Sequence, residues 1–426
     1  MEISVYILIA LIFGSLCLVL VSGELSSRLD LSVAGRIILG CLMGFGVLGV
    51  SLKAILLVSL QPAPSLAWIS TEARSLGRND RTVSKVEPRG LSYSDPPQAW
   101  RSLPSLPPGV KESDSFEKQV TIGRRLYFDR RLSKTGTVSC ASCHIIGLGG
   151  DDGKKQSTGI NGLEGTRNAP TVINAAYMRR FFWDGRASSL ADQAKGPLTN
   201  PVEMGLETLD QAVAIVADDP EYVKLFREIY SSPPGIDQIA DAIAAFEQTL
   251  IAGPSAYDRF VAGENEALSP SQLRGMKLFD EVGCRSCHED PWFTVAGASH
   301  SSPYRVFPLY RNSVYLARYD LLEDKGRNEA GIWRVPSLRN VERTAPYFHN
   351  GSVTDLEEAV RIMASVQRGR PFTAEQFRRP EIQRDTAGRP ILLESAALSD
   401  QDIRDITNFL KGLTGRMPFV ENPWSP

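Results

Sequence analysis

The chain has 426 residues, 42% of them hydrophobic and 23% charged, with a formal net charge of −2. This balance excludes a disordered chain and a polybasic nucleic-acid binder, and no nucleic-acid partner is expected. The length allows two or three domains, and 35 glycines with 27 prolines are ordinary at this size, which removes collagen-like and low-complexity readings.

In chain order, Ile3 to Gly23 carries no charge and Ile37 to Leu60 carries only Lys53. Each run matches the ~20 apolar residues that a helix needs to cross a bilayer. Met1-Glu2 lacks the basic start of a cleavable signal peptide, so residues 1–62 read as a membrane anchor of two transmembrane helices. Arg28 and Arg36 place the segment between the runs in the cytoplasm, which leaves the rest of the chain outside. Residues 63–113 are rich in Pro, Ser and Arg and read as a tether.

From residue 114 the pattern is mainly helical. Ile236, Ile239, Ala240, Ile243, Phe246 and Leu250 recur at helical spacing. Ser269-Pro-Ser-Gln272 and Thr354-x-x-Glu357 read as capping boxes, and Ser399 caps a run with Ile403, Ile406, Leu410 and Leu413 on one face. Gly123-Arg-Arg-Leu-Tyr127 and Gly275-Met-Lys-Leu-Phe279 form a weak internal repeat, each upstream of a cysteine pair.

Those pairs are Cys140-Ala-Ser-Cys143-His144 and Cys284-Arg-Ser-Cys287-His288. Cys-x-x-Cys-His is the attachment signature of c-type haem: two thiols bond the porphyrin and the adjacent imidazole reaches the iron. Three other readings compete. A four-Cys zinc site leaves each trailing His unexplained, a thioredoxin-like motif wants a βαβ context, and a disulfide within Cys-x-x-Cys is strained. Two covalently bound haems c are the expectation. Cys17 and Cys41 lie in the apolar runs and read as small hydrophobes. Haem attachment outside the bacterial inner membrane agrees with the charge-based topology.

With both motifs in hand, residues 116–416 resemble the bacterial dihaem cytochrome c peroxidases and their MauG-type relatives. The resemblance is carried by Phe128-Asp-Arg-Arg-Leu-Ser133, Arg167-Asn-Ala-Pro-Thr-Val172, Phe182-Trp-Asp-Gly-Arg-Ala187, Gln193-Ala-Lys-Gly-Pro197, Pro201-Val-Glu-Met204, Pro336-Ser-Leu-Arg-Asn-Val341 and Thr344-Ala-Pro-Tyr-Phe-His349. It implies two cytochrome-c-like haem domains, residues 114–254 for peroxide reduction and 255–426 for electron entry. It also implies Glu203 as the acid–base group, Gln193 as a peroxide-positioning group and Trp183 between the haems. His144 and His288 become proximal iron ligands and Met363 the distal ligand of the second haem. Asn168 with the carbonyls of Thr344 and Pro346 corresponds to a calcium site. On residue type alone, Glu203 reads as a surface carboxylate and Met363 as a core methionine; the resemblance reverses both.

One departure matters. Where many of these enzymes carry a loop His that caps the first haem, this chain has Ile160, which cannot bind iron. Of the four histidines, His144 and His288 are proximal, leaving only His300 and His349. The expected activity is reduction of hydrogen peroxide in the periplasm by a membrane-tethered enzyme. The donor is a cytochrome c, a cupredoxin or a quinol, and a homodimer is a candidate assembly. The alternatives are a MauG-type oxidase of a protein substrate and a non-enzymatic electron carrier or redox sensor.

Overall fold

The computed structural model describes residues 100–424 apart from 106, 108–109, 111–112, 298–300, 312 and 369–397, within one compact unit, Ser92–Pro426. The apolar runs expected to span the membrane, nearly all of the tether and His300 lie outside the described residues. Among the described residues no helix is long and apolar enough to cross a membrane.

The fold is mainly α. In chain order the helices are α1 (Asp114–Phe128), α2 (Cys140–Cys143), α3 (Leu190–Thr199), α4 (Leu209–Ala217), α5 (Pro220–Tyr230), α6 (Ile236–Glu247) and α7 (Ala256–Val261). They continue as α8 (Pro270–Glu281), α9 (Val314–Arg318), α10 (Leu356–Arg368) and α11 (Asp400–Lys411). Two short strands, β1 (Tyr304–Val306) and β2 (Ile332–Arg334), pair antiparallel with Arg305 opposite Trp333. Ser269 with Gln272 and Ser399 with Asp402 close reciprocal capping boxes on α8 and α11. At α10 the expected cap is corrected by one residue. Asp355 Oδ1 accepts from Glu358 N at 2.8 Å, while Glu357 turns to Arg361 at 2.9 Å. Either residue type suits a cap, and the Tyr347–Val353 bridge holds the preceding chain extended, which selects Asp355.

The internal repeat proves to be a duplicated helix crossing. Gly123 of α1 packs on α6, where a Cβ would strike the carbonyl of Ala242 and sit 2.9 Å from Phe246 Cβ. Gly275 of α8 packs on α11 in the same way, against the Asp405 carbonyl and 2.8 Å from Phe409 Cβ. Only glycine lets two backbones approach so closely.

A second duplicated element escaped the sequence reading. Asn174 and Asn340 both have positive φ, 62° and 59°. Asn174 N donates to Leu250 O and its Oδ1 accepts from Ala252 N; Asn340 N donates to Leu413 O and its Oδ1 accepts from Gly415 N. Each asparagine thus ties a Pro-Thr or Pro-Ser segment to the end of the helix crossed by the repeat glycine.

The apolar cores follow the duplication. One set of buried side chains gathers around α1, α4, α5 and α6, another around α7, α8 and α11. Two segments pack outside their own stretch of chain. Trp100, within the tether, is buried among Tyr257, Phe293 and Phe409, and Tyr257 Oη donates to Arg101 O. Met417 and Val420 pack on the core containing Tyr127 and Phe246.

Candidate functional site

Both Cys-x-x-Cys-His motifs open on one cavity of about 750 Å³, a size suited to a bound prosthetic group. None of the four motif cysteines is in a disulfide. Burial pushes the Cys140 thiol up to about 12 and raises that of Cys143, so neither is a reactive thiolate. Among the described residues no group of three or more His, Cys, Asp or Glu is arranged to hold a metal, so the thiols do not converge as a zinc site.

The two histidines are held alike. His144 Nδ1 lies 3.2 Å from Gly150 O, and His288 Nδ1 lies 3.1 Å from Phe293 O. A carbonyl only accepts, so each Nδ1 carries the proton and each Nε2 keeps its lone pair for a metal. Those carbonyls also take the amides of Val172 and Leu338, just before Asn174 and Asn340, so the duplicated scaffold sets both imidazoles. Burial depresses both pKa values, that of His288 to about 4, keeping the rings neutral. Tyr127 Oη adds a 2.8 Å hydrogen bond to His144 O; Phe279, its repeat counterpart, has no hydroxyl to do so.

The remaining expected residues line this same cavity: Gln193, Glu203 and Trp183, Met363 from α10, and Asn168, Thr344 and Pro346. Glu203 Oε1 accepts from Asn200 Nδ2 at 2.7 Å, and burial raises its carboxyl above the ordinary 4.5, with Arg186 and Asn200 opposing. Trp183 Nε1 donates to Asn168 O at 2.8 Å, and Arg334 N donates to Trp183 O at 3.0 Å. Asn168 Nδ2 donates to Lys154 O at 2.9 Å and its N to His349 O at 2.8 Å. Ile160 is buried and does not line the cavity. Its side chain lies against Gly205 and its N donates to Glu203 O.

Several cavity residues were not legible beforehand. Arg167 bonds Asp184 at 2.7 Å and Asp324 at 2.6 Å, and its guanidinium lies 5.2 Å from the centre of the Trp333 ring. Trp333 stacks on His349 at 4.1 Å. Among the described residues, buried Asn174 Nδ2, Glu247 Oε2 and His349 Nε2 have no hydrogen-bond partner, although their residues line the cavity. Orphaned polar atoms around two imidazoles with free Nε2 fit a cavity shaped for a porphyrin rather than a closed core.

Comparison with known proteins agrees. The profile of the di-haem cytochrome c peroxidase family matches residues 117–266. A cytochrome c551 peroxidase of Nitrosomonas europaea is 36% identical over 306 residues, 72% of this chain and 82% of that protein. The methylamine utilization protein MauG of Methylorubrum extorquens is 30% identical, covering 76% of this chain and 86% of its own. Among solved structures, a MauG-like protein associated with microbial copper homeostasis superposes with a TM-score of 0.59 at 28% identity, over 78% of this chain and 99% of that one. With the duplicated haem scaffold described above, these likenesses establish that the chain belongs to the dihaem cytochrome c peroxidase and MauG family.

Proposed function

We propose that the chain is a c-type dihaem peroxidase that reduces hydrogen peroxide to water with electrons from a periplasmic or membrane donor. The observation that carries it is a half-buried Glu203, its pKa raised, in the cavity that receives His144, with Ile160 turned away from that cavity.

The residues divide the work as follows. Cys140, Cys143 and His144 would hold one haem, and Cys284, Cys287 and His288 the other, through their thiols and their imidazole Nε2 atoms. Haem, when bound, supplies the iron that cleaves the O–O bond and passes electrons. Glu203 takes a proton from one peroxide oxygen and delivers it to the other, a task for a carboxyl whose pKa is lifted toward neutrality. Asn200 aims it, and Gln193 offers its amide to the peroxide. Two electrons and two protons per peroxide give two waters. On the other side Met363 offers a thioether, which favours the reduced state and so eases electron entry. Trp183, tied to Asn168 and Arg334, sits on the route between the halves.

Asn168 Oδ1 and the carbonyls of Thr344 and Pro346 are the oxygens for a calcium ion, which takes oxygen ligands. The uncharged apolar run at 3–23 and the near-uncharged run at 37–60 are assigned to an inner-membrane anchor, with the haem domains in the periplasm.

The test is peroxide turnover fed by a reduced small cytochrome c. A MauG-type oxidase would show little of it, and a mere carrier none.

A further inference from the structure

The duplicated scaffold makes the halves comparable position by position, and the comparison isolates Glu247. It follows Phe246 in α6 as Leu410 follows Phe409 in α11, and both side chains line the cavity. One half therefore carries a carboxyl where the other carries a plain aliphatic. Glu247 is 5% exposed, and among the described residues its Oε2 has no hydrogen-bond partner. Burying an unpartnered carboxyl is unfavourable, and leucine would fill the same place without that cost, so packing does not account for it.

Burial alone pushes the Glu247 carboxyl up to about 8, within reach of physiological pH. The titratable groups facing it are Tyr127 from α1, itself raised by burial, and Cys140 from α2. Cys140 is the porphyrin-bonding sulfur and not an iron ligand. Glu203 lines the same cavity and also acts on Cys140. Among the described residues no cation holds Glu247 in its ionised form.

We propose that Glu247 is the proton-carrying residue of the first haem pocket, taking one proton from solvent when an electron reaches that haem and releasing it when the electron leaves. One electron enters from the donor through the second haem, one proton enters from water, and one O–H bond forms on the carboxylate. No bond of the porphyrin changes. In a pocket of low dielectric the added negative charge is cancelled where it arrives. Leu410 gives the second haem no such partner. The inference rests on the reading that each motif holds haem.

The experiment is a spectroelectrochemical titration of the full dihaem chain from pH 5 to pH 10, resolving the two haems. In the wild type the first haem's potential should fall with rising pH across the window between Glu247's two pKa values, oxidised and reduced. The slope should approach tenfold in the reduction equilibrium per pH unit, about 59 mV for one electron. E247Q, which keeps the shape, and E247L, which copies the second half, should both flatten that slope and leave the second haem unchanged. Redox-difference infrared spectra should show a carboxylic-acid carbonyl band appearing on reduction in the wild type and absent from E247Q. Intact haems with an unchanged slope and band in E247Q would overturn the inference alone. A chain without haem would overturn the reading beneath it.

Discussion

Glu203→Gln isolates proton transfer from geometry. Asn200 Nδ2 donates to Glu203 Oε1 at 2.7 Å, and the glutamine carbonyl oxygen accepts the same bond, so the side chain stays aimed. What disappears is the exchangeable proton. General acid–base catalysis contributes typically 10²–10⁴-fold, so peroxide turnover should fall by about that factor, or roughly 2.7–5.5 kcal/mol at the transition state. The pH profile gives a second reading. Burial raises the Glu203 pKa above 4.5, so its basic form is present above the raised value and is lost as the pH falls through it. Wild-type turnover should therefore drop on acidification through that raised pKa, and E203Q should lack the drop. The assay is steady-state oxidation of reduced cytochrome c by peroxide, with haem content and spectra as controls. Wild-type turnover by E203Q with an unaltered acid limb would refute the assignment.

With Ile160 packed against Gly205, electron paramagnetic resonance of the fully oxidised protein should show a high-spin ferric haem beside a low-spin one; two low-spin, doubly ligated haems would contradict it. Met363→His should lower the second haem's potential, by on the order of a tenth of the ~0.8 V span that axial ligands command, read by redox titration; an unmoved potential would remove Met363 from the iron. Gly275→Ala drives a methyl group into the Asp405 carbonyl and toward Phe409 Cβ, so α8 and α11 must separate. Overpacking at the upper end of ~1–3 kcal/mol outweighs the helix-propensity gain of about 1, for a net loss near 2 kcal/mol, read as a lower Tm; an unchanged Tm would show that the crossing is loose.

What the sequence revealed follows from how local each cause is. Haem attachment demands two thiols and an imidazole at fixed spacing, so Cys140 to His144 and Cys284 to His288 stand out without any fold. The caps at Ser269 and Ser399 are equally local. The cap of α10 was misplaced because Thr354 and Asp355 are both good caps and the Tyr347–Val353 bridge just before them, which no residue type signals, chooses between them. The asparagine clamps were missed because Asn174 and Asn340 act on helix ends far along the chain, at Leu250 and Leu413. Glu247 was hidden for a different reason. One carboxyl in an apolar helical run reads as an edge residue, and neither its burial nor its nearness to Tyr127 and Cys140 on other helices is written in that run.

The duplication also bears on why two haem pockets in one chain would differ in chemistry. The glycine crossings, the asparagine clamps and the carbonyls that take each Nδ1–H repeat closely, so these features alone would give two equivalent sites. Division of labour must come from positions where the repeat breaks. Tyr127 stands opposite Phe279 and Glu247 opposite Leu410, so the half that carries Glu203 also carries two further ionisable groups. The other half has Leu410 and Phe279 in place of Glu247 and Tyr127, and it carries the soft sulfur of Met363. Peroxide reduction moves protons with its electrons, whereas electron entry moves electrons alone. On the proposed assignment, a polar, proton-bearing pocket would suit the first task, and an apolar pocket offering a thioether would suit the second. On that assignment a common scaffold would fix where the irons go, and a handful of unmatched side chains would decide what each iron does.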